Sequence, residues 1–320
     1  MKKLPTEDEV LSYFDKLSNW GKWGDDDQLG TLNYINDEIT RKATTLVKKG
    51  RKISCSRPIK FEQAPDITSP PVHYMLESGD GLTSEPGAKE TKITSKSAQM
   101  AMEYIGMVFH GHSITHIDSL AHFFWKGKMY NNQPAHLIST SLGATSESVE
   151  LASEGIVTRG VLVDIPRLKD IPWVDRGQGV LPEDIIEAEE KFGFKIQEGD
   201  VLLIRTGQYK RRTIEGPVNP TIEGSAACHA ACLPLFHEKK IAVLGSDTSN
   251  DILPAPYQEV KMPIHQVGIV AMGLWILDNA NLEDLAEACA FFGRWEFMIN
   301  INPLKLSNTT GSPVNPIAVF

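Results

Sequence analysis

The segment His110-Gly-His-Ser-Ile-Thr-His-Ile-Asp-Ser-Leu-Ala-His122 holds four of the chain's nine histidines together with Asp118. Imidazole nitrogen and carboxylate oxygen suit Zn²⁺ or Mn²⁺, and either ion can acidify a water molecule into a nucleophile near neutral pH. Hydrolysis is the chemistry such a cluster points to. His112, His116, Asp118 and His122 share parity, so a fully extended strand would aim all four at one face. That strand would separate His112 from His116 by about 13 Å, whereas ligand atoms lie only about 2.0–2.2 Å from a zinc ion. The chain must therefore bend. A turned or helical segment brings positions i and i+4 to about 6 Å, and Asp118 to His122 repeats the His112 to His116 spacing. The spacing predicts a strand at 107–109, a tight turn at 111–115 carrying ligands, and a helix starting near Asp118, which would also cap it. His112, His116 and Asp118 are the expected ligands, His122 is a ligand or a general base, and His110, next to Gly111, is scaffold.

The rest of the sequence narrows the function classes. Lys plus Arg total 32 against 41 Asp plus Glu, a net charge of −9 with no basic run, so nucleic acid is not the expected partner. The first residues, Met-Lys-Lys-Leu-Pro-Thr-Glu-Asp-Glu, lack the apolar core of a signal peptide, and the apolar stretch at 269–277 is too short to span a bilayer. We expect a cytoplasmic protein with a small-molecule substrate and no membrane contact. Cys55, Cys228, Cys232 and Cys289 form no disulfide framework. Cys228 and Cys232 flank His229 in an Ala-rich, helix-like stretch and are read as packing thiols. Asp25, Asp26 and Asp27 are read as a solvated loop.

These residues need elements to position them. Val10, Leu11, Phe14 and Leu17 recur at helical spacing over 5–17, a turn-rich loop with Trp20 and Trp23 follows, and 37–49 reads as a helix stopped by Gly50. A strand begins at Lys52. From 62 to 96 the composition turns to Pro, Gly, Ser and Thr, a long loop that is either a lid carrying His73, Tyr74 and Met75 to a substrate or a surface excursion. Apolar strands at 160–166, 199–207, 241–247 and 273–279 alternate with helical stretches at 182–192, 223–237 and 282–290, and 294–301 alternates as a sheet strand. This order indicates an α/β fold. No linker divides the chain after Lys96, and no phosphate loop, dinucleotide fingerprint or nucleophile elbow is present.

At its His-x3-His-x-Asp-x3-His pattern the sequence resembles the metal-dependent cyclase family that includes bacterial kynurenine formamidase and isatin hydrolase. The resemblance runs through 115–122, 199–207, Leu244-Gly-Ser-Asp247, Leu277-Asp-Asn279 and the terminal 310–320. The aromatic N-terminal region and long tail are similar to the family's larger branch. The resemblance implies a swivelling β/β/α type of α/β fold, a mixed sheet core with flanking helices, assembled as dimers or tetramers. One domain would cover 1–320, with an N-terminal aromatic extension (1–50) and the long loop (62–96). His112, His116 and Asp118 match the holders of a first metal, and His122 matches a residue that binds a second metal or assists proton transfer. His265 matches a downstream acid or base. Asp278 stands where formamidases carry a glutamate, and its shorter reach favours one Mn²⁺ or Zn²⁺ over two.

The expected reaction is attack of metal-activated water on an amide, lactam or ester carbonyl, with His265, and His122 where it is not a ligand, moving the proton. Trp23, Phe61, His73, Phe123 and Trp125 are pocket candidates for a planar or cyclic substrate, with Trp20 and Phe124 behind them. A ring-closing cyclase or dehydratase using the same metal is the alternative. A noncatalytic metal or small-molecule binder is a third reading, disfavoured because a pure binder needs no proton shuttle.

Overall fold

A computed structural model describes residues 4–79 and 100–320. Nine strands form its main sheet: β1 (Lys52–Ser54), β2 (His116–Asp118), β3 (Ile156–Asp164), β4 (Val201–Arg205), β5 (Val243–Ser246), β6 (Trp275–Asp278), β7 (Glu296–Ile301), β8 (Gly311–Pro313) and β9 (Ile317–Val319). Their order is β1-β9-β7-β3-β4-β5-β6-β2-β8. The four central strands β3 to β6 are parallel. Crossovers containing the helices Pro182–Phe192, Leu233–Lys239 and Pro263–Val270 join them. Strands covered on both faces read as continuous apolar runs, and Val201-Leu-Leu-Ile-Arg205 is buried throughout. The outer strands pair antiparallel, which makes the sheet mixed. Among the described residues no helix is long and apolar enough to cross a membrane.

Several local expectations are corrected. The strand before the histidine cluster is Met102–Gly106 rather than 107–109, and Asp118 ends a short strand instead of capping a helix. Ser119 takes the capping role, its side chain accepting from Ala121 N ahead of the single 3-10 turn Leu120–His122. Residues 223–237 break into Ala227–Cys228, a 3-10 turn and the helix Leu233–Lys239, because Ala227 and Cys228 pair with Gly179 and Val180. All four cysteines are free and buried. The long loop is partly a hairpin, Val72–Glu77 against Met102–Gly106; its portion at 80–96 lies outside the described residues.

The N-terminal extension is bound to the C-terminal end of the helix that carries His265 and to the residues just after it. Asn19 N donates to Ala271 O at 2.9 Å and Thr31 N to Gly273 O at 2.8 Å, while Trp20 Nε1 donates to Val270 O at 2.7 Å. Two glycines permit this approach. A Cβ on Gly273 (φ +65) would stand 2.6 Å from Tyr130 Cε2 and 2.8 Å from Gly30 Cα, and one on Gly30 would meet Gly273 O at 2.2 Å. Gly273→Ala is therefore expected to lose about 2–4 kcal/mol through left-handed strain and overpacking, measured by urea unfolding. An unchanged midpoint would show that the extension can move aside.

Candidate active site

Strand pairing alone converges three side chains. β2 and β6 run antiparallel with His116 opposite Asp278, and directly paired residues point to the same face. Asp118 lies two residues beyond His116 and shares that face. His116 Nε2 consequently sits 3.4 Å from Asp118 Oδ1 and 3.8 Å from Asp278 Oδ2. The helix Pro263–Val270 adds His265, with Nε2 3.4 Å from Asp118 Oδ2 and 3.6 Å from Asp278 Oδ2. On the other side of Asp118 stand His110, with Nδ1 2.9 Å from Oδ1, and His122, with Nε2 3.9 Å from Oδ2. These two rings stack at 3.8 Å and 4°.

Partners behind the cluster fix which atoms face inward. His116 Nδ1 lies 2.8 Å from Ile114 O, so its N–H donates there and Nε2 is the nitrogen turned toward the carboxylates, the orientation in which histidine binds metal. Asn250 Nδ2 donates to Asp278 Oδ1 at 2.7 Å, leaving Oδ2 to the histidines. Asp251 Oδ2 holds His265 Nδ1 at 2.6 Å, while its carboxylate accepts the backbone N–H groups of Ile264 and His265 at the helix start. His110 Nε2 contacts Thr310 Oγ1 at 3.0 Å, which ties the C-terminal tail to the cluster.

Asp118 is fully buried, yet among the described residues neither carboxylate oxygen has a hydrogen-bond partner, and His110 Nδ1, though close, is out of line for one. Buried polar atoms are rarely left so, except where an ion is their partner. The donors form two sets that share Asp118, His116–Asp118–Asp278 and His110–Asp118–His122, the ligand atoms within each lying within 4.8 Å of one another. These residues fit a divalent metal.

Protonation follows the surroundings. Burial opposes the Asp118 anion, but the facing His122, His116, His110 and His265 outweigh it and hold the carboxyl well below its usual range. Burial lowers His122 to about 4, against the attraction of Asp118, so its ring is neutral at pH 7. His265 behaves oppositely: burial pulls it down, yet Asp278, Asp118 and Asp251 raise it well above the ordinary histidine range. His265 is thus the proton-bearing member.

The structure brings together His116, Asp118, His122, His265 and Asp278 from the sequence expectations. It does not bring His112 into either donor set. Residues 111–114 form bends rather than a helical turn, and His112 lines an adjoining cavity with Arg57 and Asp247, its pKa lowered chiefly by burial. His110, expected as scaffold, stands beside Asp118 instead. Among the aromatics, Phe123 lies against His265 at 4.9 Å and His122 at 5.0 Å. Trp125 is occupied in stacking on Phe14 at 4.5 Å, Trp23 packs on Tyr34 at 5.0 Å, and Phe61 stacks on His73 at 4.8 Å. Phe109, unforeseen, adjoins His110 and His116. Asp251 and Asn250 were missed as well, although they lie in the polar Ser246-Asp-Thr-Ser-Asn-Asp251 run at the carboxyl end of an apolar parallel strand, where open α/β sheets bind ligands.

Over residues 53–250 the chain matches the family model described as "Putative cyclase". A solved structure described as a novel cyclase is 33% identical, with a TM-score of 0.84 over 95% of this chain and 100% of its own. Isatin hydrolase A from Labrenzia aggregata, bound to benzyl benzoate, is 20% identical with a TM-score of 0.60 over 88% of this chain and 97% of its own. Isatin hydrolase A from Ralstonia solanacearum is 17% identical with a TM-score of 0.57, covering 84% and 92% respectively. These two likenesses are of fold. No curated protein matches the sequence. The mixed nine-stranded sheet with flanking helices is the fold of these structures. Because the family model spans more than half of the residues, and a solved relative in that fold spans nearly all of them, the chain belongs to the cyclase family.

Proposed function

We propose that the protein is a metal-dependent hydrolase that opens an amide, lactam or ester bond of a small cyclic or aromatic substrate, with a carbon–nitrogen bond, as in an amidohydrolase or formamidase, preferred. The observation that carries this reading is Asp118, a buried carboxylate whose two oxygens accept no hydrogen bond among the described residues and face four histidines. His116, Asp118 and Asp278 would hold one Mn²⁺ or Zn²⁺, and His110, Asp118 and His122 offer a second position. Such an ion, when bound, lowers the pKa of coordinated water and polarises a carbonyl oxygen. The chain supplies the rest. Ile114 O and Asn250 orient His116 and Asp278, Asp251 keeps the proton of His265 Nδ1 in place, and His265 Nε2 presents its proton toward the two carboxylates, where a leaving nitrogen or oxygen can take it. Phe123 walls the side next to His265 and offers a face on which a planar ring can stack.

The test is metal analysis of the purified protein, followed by activity on aryl formamides, cyclic imides, lactams and lactones with that metal restored. Solvent oxygen entering the product supports hydrolysis. Release of water from an open-chain substrate would favour the ring-closing alternative, and stoichiometric metal uptake without turnover would favour a binder.

We further propose a cytoplasmic homo-oligomer, a dimer or tetramer. Free buried cysteines fit a reducing compartment. A lone two-stranded hairpin is only marginally stable in water, yet the Val72–Glu77 hairpin exposes Leu76 by 55% and Ile105 by 47%, and a second copy would cover such an arm. Light scattering is expected to show a dimer or tetramer, and Leu76→Lys with Ile105→Lys to shift it toward monomer. A monomeric unmodified protein would refute this assembly.

A further inference from the structure

Next to the histidine cluster lies a cavity of about 50 Å³ whose lining includes Arg57, Arg176, Arg212, Gln208, His112 and Asn279. The three arginines are not equally neutralised. Arg212 is held by Asp66, with Nη2 to Oδ1 at 3.0 Å and Nε to Oδ2. Arg176 reaches Glu215 only at 3.5 Å, and that carboxylate already accepts from Arg211 Nε at 2.7 Å. Arg57 bonds to no carboxylate among the described residues. Its Nη1 donates to His112 O at 2.9 Å, its Nη2 donates to Asp247 O, and its Nε is buried with no partner among the described residues.

Arg57 is only 8% exposed, and burial lowers its pKa to about 10, so it remains charged at neutral pH. Tyr209 lies beneath the guanidinium at 4.7 Å. The nearby Asp247 side chain does not serve it: Oδ1 accepts from Thr206 N and Oγ1, and Oδ2 from Gly207 N, each at 2.8 Å. A buried cation without a bonded anion is costly, and a ligand that brings the anion removes that cost.

The cavity is joined to the metal-ligand strands. Arg57 N donates to Thr115 Oγ1 at 2.9 Å, and that hydroxyl donates to Asn279 O at 2.7 Å. Thr115 precedes His116, and Asn279 follows Asp278. Three lining arginines against two lining aspartates, Asp66 and Asp247, leave one net positive charge. That balance fits a monoanion better than a phosphate dianion, and the volume fits a carboxylate rather than a ring.

Resting on the hydrolase reading above, we infer that the substrate carries a carboxylate which docks in this cavity through Arg57 and Arg176 and so sets the distance from the anion to the bond being cleaved. The test compares kcat/KM, on the metal-loaded protein, for a carboxylate-bearing member of the amide and lactone panel and for its methyl ester. Wild type is expected to favour the acid by about tenfold or more, mostly through KM. Arg176→Gln and Arg57→Gln should each bring the ratio toward one, while Arg57→Lys retains most of it. If Arg57→Gln fails to fold, Arg176→Gln carries the same readout. Turnover without preference for the acid overturns the anion site and leaves the hydrolase reading standing. If no substrate turns over, the hydrolase reading fails, and calorimetry with benzoate decides the site separately. Affinity lowered about tenfold by Arg176→Gln upholds it, and affinity indifferent to both arginine changes overturns it.

Discussion

Asp118→Asn is expected to strip the protein of its metal and to lower kcat/KM by at least about 10³-fold, the scale on which a lost metal and its activated water are felt. Asp118 is the residue common to both donor sets, so its loss removes a ligand from each, whereas His116→Ala spares the His110–Asp118–His122 set. Asparagine keeps the shape but replaces one acceptor by an amide N–H₂ and removes the charge. The metal-free variant should unfold earlier than the metal-free wild type, because the histidines that hold the Asp118 carboxyl below its usual range make its anion stabilising at neutral pH. Added metal should separate the two proteins further: at a hundred times its Kd it stabilises wild type by about 2.7 kcal/mol and leaves the variant unmoved. Metal content by mass spectrometry and paired melting curves measure this, and a variant retaining a full equivalent would remove Asp118 from the ligand set.

The strands that build the sheet were legible because their apolar runs are long. Residues 160–166, 199–207, 241–247 and 273–279 each contain or overlap an observed strand, since parallel strands covered on both faces leave little ambiguity in a sequence. The ligand segment was harder to read. His116–Asp118 is only three residues long, and its conformation is dictated by β6 and β8, partners more than 150 residues away in the chain. Shared parity correctly put His116 and Asp118 on one face once that strand formed. The helix that the i, i+4 spacing predicted at Asp118 is a strand end and a 3-10 turn, which leaves His122 Nε2 3.9 Å from Asp118 Oδ2, and the bends at 111–114 do not give His112 the helical turn expected of it.

Orienting groups were the least visible, and their reason is also tertiary. Asp251 lies fourteen residues before His265, with an irregular loop between them that no periodicity registers. The Val72–Glu77 strand was hidden by the Pro, Gly, Ser and Thr around it, and its own residues are exposed rather than alternating between core and solvent. Tyr130, Gly30 and Gly273 meet only after the N-terminal extension folds back, so nothing local in the sequence marked that junction.

His265→Gln is expected to lower kcat by about 10²–10⁴-fold while metal content stays at the wild-type level, the range associated with losing a positioned acid or base. Glutamine occupies a comparable volume but cannot cycle a proton, and His116, Asp118 and Asp278 remain to hold the ion. Asp251→Asn tests the same proton from behind. Asp251 is a positioning residue: its Oδ2 lies 2.6 Å from His265 Nδ1, and an amide there can present N–H₂ to that nitrogen, which would displace the Nδ1 proton and leave the ring neutral, or turn the ring away from the carboxylates. A loss of about 10²-fold or more in kcat is expected, on the precedent that an aspartate orienting a catalytic imidazole cannot be replaced by its amide without loss. Asp251→Asn should have no further effect in a protein that already carries His265→Gln, because residues acting through one proton are not additive. Additive losses would give Asp251 a separate task at the helix start, where it also accepts from Ile264 N at 2.9 Å. Should His265→Gln lose the metal along with its activity, His265 is a ligand, and the proton must be carried by another group in the cluster.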